Sequence, residues 1–157
     1  MHFKQHRPAL VSLPVALMLA FTALAQQAAI VATPPVHVEN SWIRWLPANL
    51  PAAGYATLVN NGDRPEVLIG ADSPAYGEVT LHQNVAREGT VQMRPVERIT
   101  LDPHSSLRFA DAGYHMMLMQ PTKALKPGDR VPIALRFLSG IVTAQFEVRA
   151  VDSSAPP

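Results

Sequence analysis

The sequence predicts an all-β domain, a Greek-key sandwich or barrel. Apolar and β-branched residues fall in short runs separated by Pro, Gly, Asn and Asp, and no amphipathic stretch is long enough to make a helix. Seven to nine short strands at such spacing are the pattern of sandwiches and barrels.

The first strand is expected over Val36–Trp45, entered after Pro34-Pro35 and closed before Pro47. Gly54–Asn60 follows Pro51 and stops at Asn60-Asn61-Gly62-Asp63, a cluster of turn formers. Glu66–Asp72 ends at Ser73-Pro74, and Glu78–Val85 ends near Glu88-Gly89. Thr90–Ile99 reads as one strand running up to Asp102-Pro103. Ser106–Phe109 and His115–Met119 flank the breaker Asp111-Ala112-Gly113. Arg130–Phe137 begins after Pro127-Gly128-Asp129, and Ser139-Gly140 separates it from Ile141–Val151, so these last strands should pair antiparallel.

Residues 1–25 read as an export signal: Lys4 and Arg7 precede an apolar run from Ala9 to Ala25 that ends in Ala23-Leu24-Ala25, a small-x-small cleavage pattern. The run is short for a membrane span and Pro14 interrupts it. Cleavage after Ala25, release into the periplasm and no stable membrane insertion are expected. No cysteine follows the run, so a lipid-modified cysteine is not expected either. Residues 26–35 form an Ala-rich flexible lead-in, 36–151 one domain, and 152–157 a frayed tail. The mature part carries 11 basic and 12 acidic residues with no Lys/Arg cluster, which gives no electrostatic case for nucleic acid. An exported chain without cysteine must be held by its apolar core and its backbone pairing.

The chemistry sits between positions 82 and 119. All four methionines of the mature part fall there, Met93, Met116, Met117 and Met119, together with His82 and His115. Alone, each His or Met would be surface or core filler. Together, two thioethers and two imidazoles are a ligand set for Cu(I) and not for zinc, calcium or magnesium. Residues two apart share a face of a strand. His115, Met117 and Met119 thus lie on one face, while Tyr114, Met116 and Leu118 point into the core. The strand is taken as an outer one, where such a non-polar outward face is unusual. His82 and Thr80 lie opposite Val79 and Leu81, and a hairpin at Glu88-Gly89-Thr90 could bring Met93 back beside His82. The four ligands His82, Met93, His115 and Met117 would then meet at one end of the sandwich. Met119 is left as either a nearby sulfur or plain packing. His37 and His104 are read as solvated.

At this point the chain resembles the PCuAC family of periplasmic copper chaperones. Their motif H-x10-M-x21-H-x-M is matched without a gap by His82, Met93, His115 and Met117. Ala52-Ala-Gly-Tyr55, Val79-Thr-Leu-His82, Met93-Arg-Pro-Val-Glu97, Gly113-Tyr-His-Met-Met-Leu-Met119 and Leu125-Lys-Pro-Gly-Asp129 are similar as well. The resemblance implies a cupredoxin-like sandwich that binds Cu(I) through two Met and two His. It also implies delivery toward the CuA centre of cytochrome c oxidase, with the oxidase subunit and a Sco-type thiol protein as partners. Two departures stand out. Asn84 stands where many members place an extra Met, and the chain ends without a His/Met-rich extension, so one copper per monomeric chain is expected.

The lack of cysteine excludes a blue-copper carrier or a CuA domain, both of which need thiolate. Gln26 as first mature residue speaks against an oxygenase ligated by an amino-terminal His. Neither a Gly-x-Ser-x-Gly elbow nor a His-Glu-x-x-His run points to a hydrolase, so no enzyme is expected. Copper storage or detoxification, and a sandwich binding module without metal, stand as alternatives.

Overall fold

The computed structural model describes residues 33–47, 50–87 and 89–151. The export signal, the lead-in up to residue 32 and the tail 152–157 lie outside the described residues. Ten strands follow in order: β1 Val36–Arg44, β2 Ala52–Asn60, β3 Glu66–Asp72, β4 Tyr76–Arg87, β5 Thr90–Pro95, β6 Ile99–Leu101, β7 Ser105–Arg108, β8 Tyr114–Pro121, β9 Arg130–Phe137 and β10 Gly140–Arg149. Among the described residues there is no helix.

The strands form one mixed ladder in the order β5-β4-β8-β2-β1-β10-β9-β3-β6, with β7 paired to β2 beyond β8. Only β1 and β10 run parallel among the paired strands. The ladder encloses a single core because alternate residues of every long strand are apolar. Val131, Ile133, Leu135 and Phe137 of β9 point inward with Phe146 and Val148 of β10, and Ile43, Leu58, Leu68, Leu81, Met116 and Leu118 meet them. Trimming the fully buried Phe146 to Ala would cost roughly 3–5 kcal/mol. Asn60, also fully buried, ties the end of β2 to its surroundings: its Nδ2 donates to the carbonyls of Arg64, Leu101 and Asp102, and its Oδ1 accepts from Gly62 N. In a chain without disulfides, this clamp joins β2 to the β6–β7 turn.

Most expected strands lie where the alternation put them, and the β9–β10 hairpin pairs antiparallel with Phe137 opposite Gly140. The expected single strand Thr90–Ile99 is instead two. Pro95 has no N–H to extend the ladder. Val96 N then donates to Leu81 O at 2.9 Å, and the chain leaves β4 for β3, where β6 pairs. The second correction concerns β8. It is not an outer strand, since β4 and β2 flank it on either side; the edge of this part of the ladder is β5. Gly54 makes the β2–β8 approach possible, because a Cβ there would meet Leu118 Cδ1 at 3.1 Å and Met116 Cε at 3.2 Å.

Candidate metal centre

Cross-strand register builds the site. In the β4–β8 pair, His82 stands directly opposite His115, and Thr80 opposite Met117. In the β4–β5 pair, Asn84 stands opposite Met93 and His82 opposite Pro95. Directly opposed residues share a face of a sheet, as do residues two apart on one strand. His82, Met93, His115 and Met117 therefore all lie on the same face of three adjacent strands. The sequence expected the four at one end of the sandwich, and the register puts them on one face of this three-strand part of the ladder. The turn at Gly89 (φ 76°) takes a left-handed conformation that glycine adopts without strain, and it folds β5 back onto β4.

His82 and His115 are 9% and 4% exposed although they point away from the main core. Their rings stack with centroids 5.9 Å apart and planes 23° apart. His115 Nδ1 lies 3.3 Å from Gly113 O, and a carbonyl only accepts. In the neutral ring the proton then sits on Nδ1, which leaves the Nε2 lone pair for a metal. His82 Nδ1 lies 3.4 Å from Thr80 Oγ1, which also leaves its Nε2 uncommitted. Burial, and then the neighbouring His115, hold the His82 imidazole below its ordinary pKa, which favours the neutral ring that a metal requires.

Met93, His115 and Met117 open into one cavity of about 210 Å³, whose wall also includes Arg44, Ala53, Tyr55, Asn84 and Asp111. His82 does not line it, but stacks on His115 beside it. Met116 is in the core, and Met119 shares the face of Met117, half-buried opposite Glu78. His37 is exposed on β1, and His104 is paired with Asp63 at 2.9 Å; neither approaches the cavity lining. A cavity of about 270 Å³ lies next to it, sharing Tyr55 and Asp111, and holds none of the Met/His set.

Four wall residues escaped the sequence reading as parts of a site. Arg44 Nη1 pairs with Asp111 Oδ1 at 2.9 Å, and the Tyr55 hydroxyl donates to the same carboxylate. Asn84 Nδ2 donates to the Asp111 carbonyl. Burial, then the bond to Asp111, pushes the Tyr55 phenol well above the ordinary range, so it remains a donor. Tyr55 also packs on Trp42 with centroids 4.7 Å apart, and the two form a buried aromatic pair outside the main core. A signal for Tyr55 was present in the alternation of β2: Ala52, Gly54, Ala56 and Leu58 face the core, which leaves an aromatic on the outward face. Nothing comparable marks Arg44 or Asp111, whose meeting depends on the path of a loop.

Residues 36–148 match the LpqE-like family. The chain belongs to that family. A curated relative, "Putative lipoprotein Lxx21020" of Leifsonia xyli subsp. xyli, is 28% identical over 106 residues, or 67% of this chain; the match spans 63% of the relative's own length. Among solved structures, the copper-bound PCuAC domain from PmoF2 is 29% identical with a TM-score of 0.62, covering 76% of this chain and 96% of that domain. The solution structure of CuI-DR1885 from Deinococcus radiodurans is 28% identical with a TM-score of 0.60, covering 80% of this chain and 85% of that one. The apo form of DR1885 is 26% identical at a TM-score of 0.58. The PCuAC resemblance drawn from the motif and the all-β fold class are thus both borne out in this LpqE-like chain.

Proposed function

We propose that this LpqE-like protein is a periplasmic copper chaperone that carries one Cu(I) between His82, Met93, His115 and Met117. The reading rests on one observation: two imidazoles and two thioethers share a single face of β5, β4 and β8, three of them around one cavity. Thioether and imidazole are the donors that select Cu(I). The copper named in the two related holo structures supports the same cargo. No thiolate is present to hold the ion permanently, and all four donors are uncharged, so the bound ion keeps its positive charge. An incoming thiolate partner can outcompete them by stepwise ligand exchange. Met93, on the exposed edge strand, is the donor exchanged first. The protein binds and hands over; it performs no catalytic step.

Family membership supports an exported envelope protein. Release into the periplasm after Ala25 is our finer reading, since the sequence has no cysteine to take a lipid; mass spectrometry of the mature amino terminus would check it. The CuA subunit of cytochrome c oxidase and a Sco-type thiol protein are the partners we propose, met by a monomeric carrier.

Competition of the reduced, anaerobic protein against a Cu(I) chelator of known affinity tests the reading. One ion per chain is expected, with binding weakened in His82 and Met93 variants. Several ions per chain would favour storage, and no uptake would leave a sandwich module without a metal role.

A further inference from the structure

The loop Ala110–Gly113, between β7 and β8, delivers His115 to the site, yet little apolar packing holds it. Asp111 and Ala112 are exposed, and cavities of about 210 and 270 Å³ lie beside Asp111. Polar contacts hold it instead. The Asp111 carboxylate, with its side chain 65% exposed, reaches Arg44 of β1 at 2.9 Å and accepts from Tyr55 of β2. Its carbonyl accepts from the Asn84 side chain on β4. Two residues later, Gly113 O accepts from Asn84 N at 3.1 Å and lies 3.3 Å from His115 Nδ1. The far end of this chain of contacts is buried. Tyr55 is 3% exposed and packs tilted against Trp42, and the Arg44 guanidinium lies 5.3 Å from the Tyr55 ring centre.

We propose that Asp111 is a positioning residue of the copper pocket: by gripping Arg44 and Tyr55 it clamps the β7–β8 loop, so that Gly113 O holds His115 with Nε2 free, and it thereby slows Cu(I) release. The proposal deepens the copper-carrier reading and rests on it. A group that orients a ligating histidine is typically worth about 10–100-fold in metal affinity. Because Asp111 touches neither ring nor sulfur, its effect must pass through the loop. Asp111 itself lines the cavity into which Met93 opens, so loosening the loop widens the way out for copper.

The test uses the full mature chain with Asp111→Ala, Asp111→Asn and Tyr55→Phe. Release of Cu(I) to an excess of chelator is expected to quicken about tenfold in Asp111→Ala, and less in the other two, which keep part of the grip. In the copper-free protein, the His115 ring nitrogen shifts should move from an Nδ1–H tautomer toward a mixture. Amide exchange at Asn84 and Ala110 should rise without change in the β9–β10 hairpin. A merely structural loss would lower the melting temperature and raise exchange everywhere. Release at the unmodified rate in a folded Asp111→Ala overturns the proposal whatever the ring shifts do. If Asp111→Ala does not fold, the same criterion applies to Asp111→Asn and Tyr55→Phe. Should the unmodified protein take up no Cu(I), the carrier reading fails and the proposal falls with it, whereas normal uptake with an unchanged release rate sinks the proposal alone.

Discussion

His82 and His115 occupy a rung between two central strands, whereas Met93 sits on the edge. The rung is buried on both sides, with β8 packed against β2 and β4. By contrast, every residue of β5 is exposed, and Met93 is 52% exposed. Both regions lie on the same face and belong to the same motif, so chemistry alone would not separate them. Their difference in burial gives the site two halves. The imidazoles are buried between paired strands, so in the proposed copper site they would need little ordering to bind. In the proposed copper site, the exposed Met93 thioether would have to be ordered on binding and would be the donor a partner reaches first. That asymmetry would suit a carrier, which must release its ion as well as hold it.

The largest effect should follow from breaking the rung. His115→Ala removes a buried donor and leaves its stacked partner unsupported. Cu(I) affinity in chelator competition should fall by more than about a hundredfold, beyond the range of an indirect contact. A loss smaller than that of Met93→Leu would reverse the ranking of the two halves.

Met93→Leu should weaken Cu(I) binding less than His115→Ala does, and speed exchange. Denaturant unfolding of the apo protein should shift by no more than about 0.5 kcal/mol, as for other exposed positions. The half-buried Met117 is nearer the rung, and Met117→Leu should cost stability up to about 1.5 kcal/mol while also weakening binding. Wild-type affinity in both variants would make these methionines packing and nothing more.

Acid should act on the buried half first. His82 is held below its ordinary pKa in the folded state, by burial and then by His115. The unfolded chain therefore binds more protons there, and apo stability rises with pH across this window. That contribution is complete above roughly pH 6.5, the unperturbed histidine value, and is lost as pH falls from there through the lower folded pKa. Cu(I) affinity should drop over the same acid range, because both rings must be neutral to ligate. Flat affinity from pH 8 to pH 5, measured by competition, would remove the histidines from the site.

The smallest effect needs no mutation. Amide exchange in the apo protein should be faster in β5 than at the β4–β8 rung, because β5 buries no residue and has one strand neighbour. Addition of Cu(I) should slow β5 more than β8. Equal protection of the two strands would make the site uniform and Met93 no easier to exchange than the rest.

Much of the molecule could be read before any coordinates. Period-two alternation fixed most strands, since a strand with one buried face must repeat its apolar residues every second position. His82, Met93, His115 and Met117 stood out because thioether and imidazole are rare donors, concentrated here in a sequence with no cysteine. The faces followed too, including Met116 and Leu118 toward the core. Strand order did not follow. Alternation says which face a residue takes and nothing about its neighbours, so by itself it leaves β8 reading as an outer strand and β5 and β6 as one. The burial of the rung and the exposure of Met93 are consequences of that order. So is the grip of Asp111 on Arg44 and Tyr55, which joins residues 67 and 56 positions apart along the chain. Local chemistry wrote the donor list, but contacts between distant segments decided which donors are rigid, because only the folded chain determines what covers each side chain.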